Sequence, residues 1–226
     1  MLVDPRSFEN LQQPQLSNVL LCPDPAPPQK FFDRTEARRA LKLPPGGRLL
    51  VSVGNQDKRK GSDLLLRAFE QLKEKDDTSA TLLMMGKFSD EIKSMLEEVS
   101  PSCKGQNQIV VRDEYVSDDQ FQQAVVASDV VAVPYRDVER PSGIVSRAVA
   151  WGRPLLATDG GWLSWFINKY KAGHLTNPHD LEQFGRDIEL ALEASSKFEL
   201  STESSEFSKF NSAAMYRDIW RRGSTP

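Results

Sequence analysis

Cysteine and histidine are scarce in this chain. Its 226 residues hold two of each: Cys22, Cys103, His174 and His179. The cysteines stand alone in sequence, so they form neither a disulfide framework nor a metal-spaced pair, and a reducing cytosol is the expected compartment. The histidines lack an HExxH frame and a cysteine neighbour, which argues against a His-based metal site and a Cys–His nucleophile. No GxSxG nucleophile elbow is present. Both common nucleotide fingerprints, GxGxxG and GxxxxGK[ST], are also missing. No apolar run approaches the ~20 residues of a membrane span. The start, MLVDPRSFEN, has no basic region ahead of an apolar one, so it does not read as a signal peptide. Excess charge is lacking too. Lys and Arg number 29 against 32 Asp and Glu, a net −3, so no global attraction for nucleic acid or anionic membrane is expected.

What is present is a hydrophobic fraction of 39%, enough for one real core, and a sustained alternation of strand and helix signals. Residues 128–161 show the unit most clearly. An apolar, mostly β-branched run at 130–133 reads as a buried strand, ended by Pro134 and Tyr135. A charged loop follows. Then Pro141, Ser142 and Gly143 open an apolar helix that stops at Gly152, and a second apolar run covers 154–158. Strand, loop, helix, strand is the unit of a parallel sheet. The same grammar predicts strands at 49–53, 81–85, 109–112 and 173–175. It predicts helices at 33–41, 62–74, 89–99, 117–126, 162–170, 180–194 and 211–222. Asp33 with Glu36, and Ser117 with Gln120, have capping-box spacing. Ser62 or Asp63 is the expected cap of the helix that follows the first strand. The economical fold is an α/β, doubly wound, Rossmann-like parallel sheet over 31–200. Residues 1–30, rich in Pro and Gln, read as a linker or docking segment, and 201–226 as a helical extension.

In such sheets ligands bind at the carboxyl ends of the strands. Two loops there attract attention. The first, GNQDKRKG, runs from Gly54 through Asn55, Lys58, Arg59 and Lys60 to Gly61, between a strand and a helix. Helix dipole, free amides and cations there suit an anion; a solvated basic loop is the alternative. The second is the helix start at Ser142, Gly143, Ile144 and Val145, where Ser142 can cap and backbone amides are open. Together the two could hold a diphosphate. Glu139, just before the second, could accept hydrogen bonds from sugar hydroxyls, or be a surface charge beside Arg136 and Arg140. Asp159, Gly160 and Gly161 form either a third loop at this edge or a simple turn. Tyr115 could stack on a base or belong to the core.

These pieces resemble the C-terminal, donor-binding domain of GT-B glycosyltransferases of the large family 4 type. The resemblance covers about residues 49–184. It is carried by LLVSVGNQDKRKGSDLLLRAFEQL, TLLMMGK, IVVRDEYVSDDQF and ASDVVAVPYRDVERPSGIVSRAVAWGRPLLATDGG. It implies that Lys60 holds the donor diphosphate and that Glu139 contacts the donor sugar. The amides of Ser142, Gly143, Ile144 and Val145 then meet the phosphates, and Tyr115 and Val116 line the base. Two positions depart from the pattern. Asn55 stands where many members carry a second phosphate-binding Arg, a role that Arg59 could take over. Arg147 stands where a second Glu contacts the ribose, so the charge is reversed. The resemblance implies transfer of a glycosyl group from a nucleotide sugar without a required metal or other cofactor, and an acceptor-binding domain outside these residues. A degenerate nucleotide-binding module without transfer activity is the other reading.

Overall fold

Six apolar runs become six strands: β1 (Arg48–Val53), β2 (Ala80–Gly86), β3 (Gln108–Asp113), β4 (Val130–Val133), β5 (Leu155–Thr158) and β6 (Gly173–Thr176). In the computed structural model, which describes residues 6, 26, 27, 29, 30, 33–72, 80–99, 107–199, 206, 207, 217, 218 and 221, they form one sheet in the order β3-β2-β1-β4-β5-β6. Every pairing is parallel. Seven helices are described: α1 (Arg34–Ala40), α2 (Ser62–Glu70), α3 (Asp90–Val99), α4 (Asp118–Ala127), α5 (Gly143–Ala150), α6 (Gly161–Tyr170) and α7 (Leu181–Ala194).

The side-chain period of two divides the strand residues between two cores. Val51, Val53, Leu83, Met85, Val131, Val133, Leu155 and Ala157 face α1, α4, α5 and α6. Leu50, Leu82, Met84, Val130, Ala132 and Leu156 face α2, α3 and α7. Strands apolar on both faces are what a helix-covered parallel sheet requires. β3, at one edge, is only partly buried. Strand order reverses between β1 and β4, and the connecting helices change face there. That switch opens a crevice between the two loops singled out above.

Local signals explain most boundaries. Asp33 caps α1 by accepting from the amides of Thr35 and Glu36. Ser117 and Gln120 form the full reciprocal box ahead of α4, and Asp180 caps α7 through the Gln183 amide. Two expected caps are corrected. Gly61, in left-handed backbone (φ +70°), precedes α2. Ser62 Oγ instead donates to Gln56 Oε1 at 2.9 Å, and the Asp63 carboxylate is taken by Arg136. Ser142 stands at the N-cap of α5 but makes no side-chain cap. α2 also stops at Glu70, short of Glu74.

At the amino ends of the strands, Asp129 ties the sheet to α1. It accepts from the Leu49 amide at 2.7 Å and from Arg38 Nη2 at 2.9 Å, and Arg34 pairs with its other oxygen. Arg38 is buried and spends its remaining donors on the carbonyls of Ala127, Pro45, Gly46 and Gly47. Burial lowers the pKa of this guanidinium, and nearby Arg34 adds to that, against the pull of Asp129.

Of the residues expected to form a linker, Pro27 accepts from Trp151 Nε1 at 3.2 Å, and Lys30 reaches Gln122 and Asp119 on α4. Most of the expected last helix, 211–222, lies outside the described residues, as do Cys22 and Cys103; within it Arg217, Asp218 and Arg221 are helical. Phe207 is buried against Phe166 and Tyr170 of α6.

Candidate functional site

The loop after β1 is fixed from below by Gln56. This buried amide donates to the carbonyls of Ser52 and Gly54 and accepts from the hydroxyls of Ser52 and Ser62. Its backbone bridges to the 87–89 turn after β2. Asp57 then caps a short 3-10 turn, Lys58–Lys60. Gly61 closes the loop against β4. A Cβ built there would stand 1.9 Å from the Pro134 carbonyl oxygen, so only glycine permits this approach of two backbones.

The loop after β4 locks onto the first from the other side. The Arg136 amide donates to the Arg59 carbonyl at 3.1 Å. The Arg136 guanidinium grips Asp63 with two parallel bonds of 2.7 and 2.8 Å and also bonds the Lys58 carbonyl. Such fork-to-fork pairing sets orientation as well as energy. Burial pushes the Asp63 carboxyl upward, but the hydrogen bonds and charge of Arg136, with the amides of Asp63 and Leu64, reverse this and hold it below the ordinary range. A carboxyl lowered in the folded state stabilises the fold above its unfolded pKa of about 4 and loses that contribution as pH falls through the folded value. Chemical unfolding followed between about pH 5 and pH 2 should therefore show wild type losing more stability than Asp63→Asn as pH falls.

With the two loops clamped, Tyr135 sits buried between them. Lys60 Nζ donates to its hydroxyl at 2.7 Å and lies 3.9 Å from the ring centroid. Ser142 Oγ approaches the same hydroxyl at 3.5 Å. Among the described residues no carboxylate pairs with Lys60, and the amides of Gly143 and Ile144 have no acceptor. An ammonium and the Ser142 hydroxyl thus meet on one phenol, and the two open amides of the helix start follow Ser142 directly in the chain; fixed positive charge and N–H donors of this kind suit a phosphate.

Glu139 lies one step along the same edge. The Val138 carbonyl accepts from the amides of Trp162 and Leu163 at 2.8 and 3.3 Å, which seats the loop on the start of α6. The Glu139 carboxylate is laid over Gly161 (φ +48°), where a Cβ would stand 2.5 Å from Oε1. Its other oxygen accepts from Arg6 at 3.1 Å. Asp159 accepts from Ser164 Oγ at 2.6 Å, which makes 159–161 a turn into α6 as well as the floor beneath Glu139.

Other expected site residues are placed differently. The Gly54 amide donates to Met85 in the β1–β2 ladder and is spent. The Val145 amide bonds the Ser142 carbonyl, so the open amides are those nearer the helix start. Asn55 is exposed and has no side-chain partner among the described residues. Arg59 turns to Asp57, 3.8 Å away. Lys58 pairs with Glu91 of α3. Only Lys60 of the three cations reaches Tyr135. Arg147 faces the start of α4, 3.4 Å from Asp118 and stacked over Phe121. Tyr115, on the loop before α4, is 83% exposed, while Val116 is half-buried against the core. The sequence reading missed Tyr135, Gln56 and the Arg136–Asp63 clamp. For Tyr135 the available signal was an aromatic hydroxyl directly at the carboxyl end of a central strand. Among the described residues no cluster of His, Cys, Asp and Glu could hold a metal ion, and no helix is long and apolar enough to cross a membrane.

The fold has counterparts in solved proteins. Sucrose-phosphate synthase from Thermosynechococcus elongatus matches with a TM-score of 0.70 at 20% identity, over 98% of this chain and 57% of that one. A glycosyltransferase from Rickettsia africae matches with 0.70 at 15% identity, over 98% and 61%. Anabaena HepE, solved in complex with UDP and glucose, matches with 0.63 at 16% identity, over 84% and 51%. This chain thus spans little more than half the length of these proteins. The shared fold is the Rossmann-like C-terminal half of a GT-B enzyme. No curated protein matches the chain. Residues 33–208, most of the described sheet and helices, match the family described as glycosyl transferases group 1. On that match the chain belongs to the group 1 glycosyl transferases.

Proposed function

We propose that this domain binds a nucleotide-diphosphate sugar across the crevice between β1 and β4 and, with an acceptor-binding domain outside these residues, transfers the glycosyl group. The carrying observation is that Tyr135 holds Lys60 and approaches Ser142, the residue after which the open amides of Gly143 and Ile144 begin α5. The diphosphate lies against these groups, and the sugar extends toward Glu139. As the glycosidic bond to the donor phosphate breaks, negative charge grows on the leaving diphosphate. Lys60 and the α5 amides are already aimed at that charge, so stabilising it costs little reorganisation. The proposal assigns no resident cofactor. The base lies toward Tyr115 and Val116. Support for the ligand class comes from Anabaena HepE, which is described in complex with UDP-glucose. The proposed compartment is the cytosol, in keeping with the two isolated cysteines.

One observation favours a donor-binding module that does not catalyse transfer. Arg147 is engaged with Asp118 and Phe121 and offers no acceptor to ribose hydroxyls. Calorimetric titration with UDP, GDP and ADP and their glucose or mannose conjugates separates the readings. Binding of one nucleotide and its sugar, with slow hydrolysis of the sugar nucleotide, supports transfer chemistry. Binding with no glycosyl transfer even when an acceptor-binding domain is joined to the chain supports the module. No binding at millimolar concentration sinks both.

A further inference from the structure

Arg6 reaches the site from 133 residues away in sequence to hydrogen-bond Glu139. Oε1 lies over Gly161, where a Cβ would stand 2.5 Å from it. Arg6 Nη1 holds Oε2 at 3.1 Å. The other charged groups of this edge are committed elsewhere. Arg140 pairs with Asp137 at 3.1 Å, and Arg136 with Asp63. The pair is open to water, with side-chain exposures of 38% and 67%, so it is weak and exchangeable.

We propose that Arg6 is a residue of the sugar edge, occupying Glu139 as a stand-in for the donor sugar and yielding Oε2 when a sugar binds. This rests on the donor reading given above. A sugar hydroxyl that takes Oε2 must displace Arg6 from it. A nucleoside diphosphate without a sugar reaches Lys60, the α5 amides and the base side at Tyr115 and Val116, but not Glu139, and leaves the pair intact. Arg6 therefore sets the preference between nucleotide sugar and free nucleotide without touching the phosphates.

The test uses the full chain with Arg6→Gln, Glu139→Gln and the double variant. UDP, UDP-glucose, ADP and ADP-glucose are each titrated by calorimetry. Arg6→Gln should tighten the sugar nucleotide by about two- to fivefold, the scale of an exposed ion pair, and leave the free nucleotide unchanged. In the Glu139→Gln background the same change should do nothing. At about 0.5 M salt, where exposed charges are screened, the gain should vanish. Weaker sugar-nucleotide binding in Arg6→Gln, or an equal change for both ligands, overturns the proposal. A ligand-free arm reads the pair by itself. Trypsin must draw the Arg6 guanidinium into its own pocket, so cleavage after Arg6, followed by mass spectrometry, should be faster in Glu139→Gln. An unchanged rate overturns the proposal whatever the nucleotides do. If neither nucleotide nor sugar nucleotide binds wild type, the donor reading falls and takes the proposal with it, whereas binding with no Arg6 effect removes the proposal alone.

Discussion

Lys60→Ala should weaken binding of the preferred nucleoside diphosphate by about 30- to 100-fold, the scale of one charge-assisted hydrogen bond lost. The loss should be nearly the same for nucleotide and nucleotide sugar, because the role proposed for Lys60 is at the phosphates that both share. Folding stability should hardly change, since among the described residues Lys60 has no carboxylate partner and its Nζ meets only Tyr135. Calorimetry paired with thermal unfolding checks both halves. Tyr135→Phe isolates the hydroxyl. It keeps the ring under the ammonium, so it should cost less than Lys60→Ala while freeing Ser142.

Gly61→Ala should destabilise the domain by about 2 to 5 kcal/mol, adding the left-handed backbone cost of a Cβ to the cost of overpacking. The Cβ would stand 1.9 Å from the Pro134 carbonyl. β4 cannot move away freely, because it is hydrogen-bonded between β1 and β5. The strain must then open the two loops that hold the site. Denaturant unfolding should show the loss of stability. Nucleotide affinity should fall even where the variant is fully folded, because Arg136 and Arg59 no longer meet. A Gly61→Ala protein with wild-type stability and affinity would contradict the interlocked geometry.

Much of the fold was legible because the signals were local. Alternating short apolar runs and amphipathic segments give strand and helix, and polar side chains such as Asp33, Ser117 and Asp180 mark helix starts directly. The misread starts were those decided by tertiary contacts. Ser62 and Ser142 have good cap chemistry, yet their hydroxyls turn to Gln56 and Tyr135. The polar loop after β1 shows the same limit. Its run of Lys58, Arg59 and Lys60 reads as one basic patch. Glu91 lies 33 positions after Lys58 in sequence and pairs with it, Arg59 turns to Asp57, and Lys60 reaches Tyr135. The Arg136–Asp63 clamp joins residues 73 positions apart, so no pattern along the chain could announce it. Glu139 stands out in the sequence as a carboxylate just before the helix start at Ser142, but its seat on Gly161 needed the fold.

The central claim is that the crevice between β1 and β4 is a diphosphate site. Inorganic pyrophosphate tests it without assuming a base or a sugar. In an amide-resolved NMR titration of the labelled protein, the largest shifts should fall on Gly143 and Ile144, with Lys60 and Gly61 close behind and the amino-end residues around Asp129 silent. Lys60→Ala should shrink those shifts together. Saturable binding centred elsewhere, or no shift at Gly143 and Ile144 at millimolar pyrophosphate, would contradict the account.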